Sequence, residues 1–97
     1  MSTYALTPAA RLDLAEIEHY ICVHDSPRAA GNVMDALHAG MAKIACAPWI
    51  GHAHREAQSQ ALRFWRVHRW LIAYLPDTEP VQVIRVLHGS RDIAQLL

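Results

Sequence analysis

Leu62-Arg63-Phe64-Trp65-Arg66-Val67-His68-Arg69-Trp70-Leu71-Ile72-Ala73-Tyr74-Leu75-Pro76-Asp77-Thr78-Glu79-Pro80-Val81-Gln82-Val83-Ile84-Arg85-Val86-Leu87-His88 is the stretch that decides the fold class. β-Branched and aromatic residues crowd into three runs, 62–67, 69–75 and 81–88, which read as strands. Pro76-Asp77-Thr78-Glu79-Pro80 is a turn, so the last two runs form a hairpin, and His68 marks the bend between the first two. Gly89 ends the final strand, and residues 90–97 have the makings of a short helix capped by Ser90.

These runs do not alternate as a sheet with one wet face should. In the first, Leu62, Phe64 and Arg66 share one parity, and Arg63, Trp65 and Val67 the other. In the second, Trp70, Ile72 and Tyr74 oppose Leu71, Ala73 and Leu75. In the third, Ile84, Val86 and His88 oppose Val81, Val83, Arg85 and Leu87. Both faces are therefore largely apolar. One has to cover helices, and the other calls for cover beyond what a chain of 97 residues supplies, which is a physical argument for a partner.

Upstream the periodicity becomes helical. Residues 3–6 are short and mildly β-prone, an expected edge strand. Thr7-Pro8 is a helix start, with a Thr N-cap and Pro at the first helical position, where its missing N–H costs nothing. From Ala10, the apolar residues Leu14, Ile17 and Ile21 recur at helical spacing, with Asp13, Glu16 and His19 expected elsewhere on the wheel. Ser26-Pro27 repeats the start signal ahead of Ala30, Val33, Met34, Leu37, Met41 and Ile44. That helix has to stop before Pro48, and residues 47–60 read as a loop. The predicted class is α+β: an N-terminal strand and an αα-hairpin packed on a small antiparallel sheet, in the order β-α-α-β-β-β, as one domain over residues 1–97.

Hydrophobic residues make up 53% of the chain and charged residues 19%, so the apolar surplus belongs in a rich core or an interface. No window approaches the roughly 18 apolar residues of a membrane span. Met-Ser-Thr-Tyr-Ala-Leu-Thr-Pro has no basic-then-apolar secretion pattern, so a cytoplasmic location is expected. The formal net charge is zero, unlike the strongly basic balance of non-specific nucleic-acid binders. Lys43 is the only lysine, and arginine supplies the other cations, which suits bidentate ion pairs. Cys22 and Cys46 fall within helical apolar patterns and are expected as buried thiols. His52 and His54 invite a metal site with Glu56 or His24, but nothing fixes a third ligand, and neither a metal nor a cofactor is expected. No hydrolase triad, phosphate-cradling Gly loop or nucleotide fingerprint occurs.

The string Arg85-Val86-Leu87-His88-Gly89-Ser90-Arg91-Asp92-Ile93, followed by Leu96-Leu97, resembles the C-terminal signature of ParE-type toxins in the ParE/RelE superfamily. Three other stretches fit in the same order. Tyr4-Ala5-Leu6-Thr7-Pro8-Ala9-Ala10 with Asp13-Leu14 and Ile17 is similar to the family's opening strand and helix. Ala47-Pro48 with Gly51 is similar to its loop after the second helix, and Leu62-Arg63 leading to Ile72-Ala73-Tyr74 to its central strands.

The resemblance implies the toxin of a type II toxin–antitoxin system, linked to growth arrest and plasmid stabilisation. It also implies a ParD-like antitoxin that wraps the toxin and alone mediates any DNA binding. ParE relatives are associated with inhibition of DNA gyrase, whereas RelE relatives cleave mRNA on the ribosome. The ribonuclease reading would give His88 an acid or base role and Arg85 a charge-stabilising one. It lacks the tyrosine- and lysine-bearing segment that RelE members often carry near the C-terminus. His88 equally reads as a strand-end imidazole bonded to backbone or to Asp92. Arg85 and Arg91 with Asp92 read either as an ion-pair latch for the chain end or as contacts to target or antitoxin. Arg63 and Trp65 share a strand parity and belong to residue types enriched at binding hot spots, so they join Arg85 and Arg91 as contact candidates. Trp49 and Trp70 are expected in the core or at an interface.

Overall fold

A computed structural model describes residues 3–89 and Ile93. Its elements are β1 (Tyr4–Leu6), α1 (Pro8–His24), α2 (Pro27–Cys46), a 3-10 turn (Pro48–Ile50), β2 (Arg63–Val67), β3 (Trp70–Leu75) and β4 (Val81–His88). Both helices begin as their local chemistry dictates. The Thr7 hydroxyl accepts the Ala10 N–H at 3.1 Å, and Ser26 accepts that of Ala29 at 3.0 Å. Each thereby satisfies a donor that the first helical turn leaves open. Among the described residues no helix is long and apolar enough to cross a membrane.

The strands form one sheet in the order β1-β4-β3-β2. β2, β3 and β4 are antiparallel neighbours, but β1 lies parallel to β4, so the sheet is mixed rather than antiparallel throughout. A three-residue strand carries no sequence cue for its direction. Its place beside β4 is fixed instead by packing, because Tyr4 and Leu6 both join the helix-side core. The turn from β2 to β3 is two residues long, and His68 takes a positive φ of 54° there, as tight hairpins require.

Strict alternation fails in β4. Tyr74 pairs with Val83 and Ala73 with Arg85, so Ile84 is an extra residue in a bulge. Val81, Val83 and Val86 therefore all face the helices, while Ile84 and Leu87 face away. The expected grouping of Val86 with Ile84, and of Val83 with Leu87, is wrong for this reason. On the helix side, Leu37, Met41, Ile44, Ile72 and Tyr74 are wholly buried together, each aliphatic side chain contributing about 2 kcal/mol by leaving water.

The opposite face is not left bare either. Leu62, Phe64, Leu71, Ala73 and Leu87 are covered from within the chain by Ala57 and Ile93. The segment between α2 and β2 folds back along the sheet edge, with His52 and Phe64 exchanging both backbone hydrogen bonds at 2.8 and 2.9 Å. The argument for a partner from an uncovered far face therefore falls. Cys46 is exposed and Cys22 half-buried, against the expectation of two buried thiols. The Ser90-capped helix falls outside the described residues.

Candidate functional site

Two constellations hold the residues singled out in the sequence. The first lies between α1 and β4. Ala10, Asp13, Leu14 and Ile17 are the buried residues of α1, a spacing of three, four and seven that defines one helical face. Asp13 is thus inside the stripe rather than elsewhere on the wheel. Its Oδ2 accepts from Arg85 Nε at 2.7 Å and from the Val86 N–H at 2.9 Å, and its Oδ1 accepts from the second Arg85 arm at 2.9 Å. These bonds raise the Arg85 pKa further, against the opposing effect of burial. The bulge at Ile84 re-aims the strand where Arg85 leaves it.

Beside this pair runs an open groove of about 280 Å³, lined by Asp13, Glu16, Tyr20, Trp70, Arg85 and His88 among others. The His88 and Trp70 rings meet edge to face at 5.3 Å. Among the described residues Arg85 pairs with Asp13, and Glu16 adds a negative charge to the same groove. A phosphate binds where cationic N–H groups are open to it. Here the fork of Arg85, the groove's one arginine among the described residues, is already engaged by a carboxylate. Arg91 and Asp92 lie outside the described residues, as does any contact between His88 and Asp92.

The second constellation sits where β2 passes the end of α2. The Arg63 guanidinium lies over the Trp49 ring at 5.3 Å, and Lys43 Nζ over the Trp65 ring at 5.1 Å. Trp49 is 62% exposed, whereas Trp65 is half-buried and packs against the helix-side core. The loop that carries Trp49 is pinned by Tyr74, whose hydroxyl donates to the Pro48 carbonyl at 2.6 Å and accepts the Gly51 N–H at 2.9 Å. A Cβ at Gly51 would run into that hydroxyl, so the latch needs glycine there. Burial raises the Tyr74 pKa above its ordinary value, only partly offset by the Gly51 N–H and by Arg63.

Arg63 and Trp65 are therefore brought to one surface. Trp49 and Lys43 complete it, and sequence reasoning did not place them there. A hint was available in that Trp49 follows Pro48 outside any apolar stripe. Among the described residues neither Lys43 nor Arg63 has a carboxylate partner, the ion pair formed there being Arg85–Asp13. No three His, Cys, Asp or Glu side chains converge among the described residues. His54 instead packs edge-on against Phe64 at 5.4 Å and accepts the Glu56 N–H at 3.3 Å.

Residues 4–93 match the family described as ParE toxin of type II toxin-antitoxin system, parDE. Among solved structures, a chain described as the chromosomal ParDE TA system from P. aeruginosa superposes with a TM-score of 0.75. The match covers 91% of this chain and 96% of that one at 17% sequence identity, a likeness of fold. Curated proteins give no match.

Proposed function

The chain belongs to the ParE toxin family of type II toxin–antitoxin systems, and from that membership we propose that it is a binding toxin. In this reading it inhibits DNA gyrase when free and is silenced by a ParD-like antitoxin. The observation that carries the choice is the Arg85–Asp13 pair. A ribosome-dependent nuclease would need Arg85 and His88 turned to a scissile phosphate. Instead Asp13 holds the arginine and Glu16 shares its groove. Arg63, Trp65 and Trp49 offer the aromatic and arginine side chains that protein interfaces favour. Arg91 remains a contact candidate from its place in the C-terminal string. The toxin acts in the cytoplasm as a single domain over residues 1–97, uses no cofactor, and reaches DNA only through its antitoxin.

Purified toxin should block gyrase supercoiling at micromolar concentration, and Arg63→Ala should weaken the block while leaving the thermal melt unchanged. Undiminished supercoiling at that concentration counts against the gyrase reading. Cuts in mRNA at the ribosomal A site of a translating extract, lost in His88→Ala, would replace it with the nuclease. Co-expression with the adjacent small gene should restore growth.

A further inference from the structure

The strip formed by Lys43, Trp65, Arg63 and Trp49 combines three features. Two cations lie over two indole rings. Neither cation is matched by a carboxylate among the described residues. One of the rings is broadly open to solvent. The Arg63 guanidinium carbon stands 5.3 Å from the Trp49 ring centroid, a contact that holds the cation in place without engaging it in an ion pair. The platform is also stiff. Tyr74 clamps the Pro48–Gly51 backbone beneath Trp49, and Arg63 and Trp65 are two residues apart on β2, on the same side of the sheet.

The geometry points to this strip as a docking surface for an acidic segment of a partner protein, its carboxylates meeting Arg63 and Lys43 and an apolar side chain covering Trp49. Charge complementarity selects that occupant. Nucleic acid is disfavoured because its phosphates ask for a longer run of cations than these two, in a chain of net charge zero. The inference rests on the reading of the chain as a protein-binding toxin, but not on gyrase being the target.

The test is fluorescence polarisation of the full chain with a labelled peptide alternating glutamate and leucine. A glutamine-for-glutamate version and labelled single-stranded oligothymidine serve as comparison probes. The glutamate peptide should bind about tenfold tighter than the glutamine one and weaken with added salt. Arg63→Ala and the exposed Lys43→Gln should each weaken it about threefold. Equal binding of the two peptides, tighter binding of oligothymidine, or no effect of either substitution would overturn the proposal. Loss of the peptide effect with gyrase inhibition intact removes this inference alone. Peptide binding without gyrase inhibition upholds it and removes the gyrase target alone.

Discussion

Asp13 on α1 and Arg85 on β4, separated by 72 positions, are joined at two points, and the same carboxylate closes the Val86 N–H inside the bulged strand. The pair is mostly enclosed, with side-chain exposures of 10% for Asp13 and 26% for Arg85. Asp13→Ala leaves a guanidinium and a backbone N–H without partners under the helix. A loss of about 3 kcal/mol is expected from urea unfolding. Asp13→Asn, which keeps an acceptor, should lose less. Equal losses in the two would mean that the charge contributes nothing.

Tyr74→Phe removes both hydrogen bonds of the loop latch and should cost about 1–2 kcal/mol at neutral pH. The pH dependence has a definite sign. The folded-state pKa lies above the ordinary 10.0, so the phenol's contribution is fully present below pH 10.0 and is lost as pH rises through the higher folded value. Unfolding curves recorded on the alkaline side should fall less steeply with pH in the Phe variant than in the parent.

Two glycines of α2 should respond in opposite directions to the same change. Around Gly31 a Cβ would meet nothing within 4 Å, so Gly31→Ala should stabilise by about 0.5–1 kcal/mol through helix propensity. At Gly40 a Cβ would come within 2.6 Å of Val67 Cγ2 and 3.3 Å of Ile72 Cδ1. Gly40→Ala should then destabilise by about 1–3 kcal/mol, with partial recovery in the Val67→Ala background. Thermal melts of the three variants decide this.

Thr7 does more than cap. Besides accepting from Ala10, its hydroxyl donates to the Ile84 carbonyl at 2.7 Å, tying the start of α1 to the β4 bulge. Thr7→Ala should cost about 2 kcal/mol, and Ser26→Ala, which loses only a cap, about 1 kcal/mol. Thr7→Ser should be close to neutral in the same denaturation assay.

What the sequence disclosed follows the range of the physics involved. The starts at Thr7-Pro8 and Ser26-Pro27, the β4 run and the bend at His68 are all encoded within a few residues, and they lie where local chemistry puts them. The bulge beside Ala73 and Tyr74 was illegible, because one extra residue in a strand leaves no local mark while reversing every later side chain. Asp13 shows the same limit at the site. Its spacing from Ala10 and Ile17 puts it on the buried face, but its polar type sorts it with the exposed residues, and only its distant arginine explains its burial. Arg63 and Trp65 were visible as a pair on one parity. Their companions Lys43 and Trp49 come from other elements and required the fold to bring them there.

The pairing of β1 with β4 bears on when this molecule can exist at all. Tyr4 sits opposite Val81 and Leu6 opposite Val83, so strand partners 77 positions apart complete one another. While a ribosome is still extending the chain, the helical hairpin can form from neighbouring residues, but the sheet edge beneath it is missing. Asp13 waits on Arg85 in the same way. The sheet is thereby held back until β4 has been made, and a chain interrupted before residue 81 lacks the strand on which both β1 and β3 depend. In a member of a toxin family, this confines the folded form to chains that have reached β4.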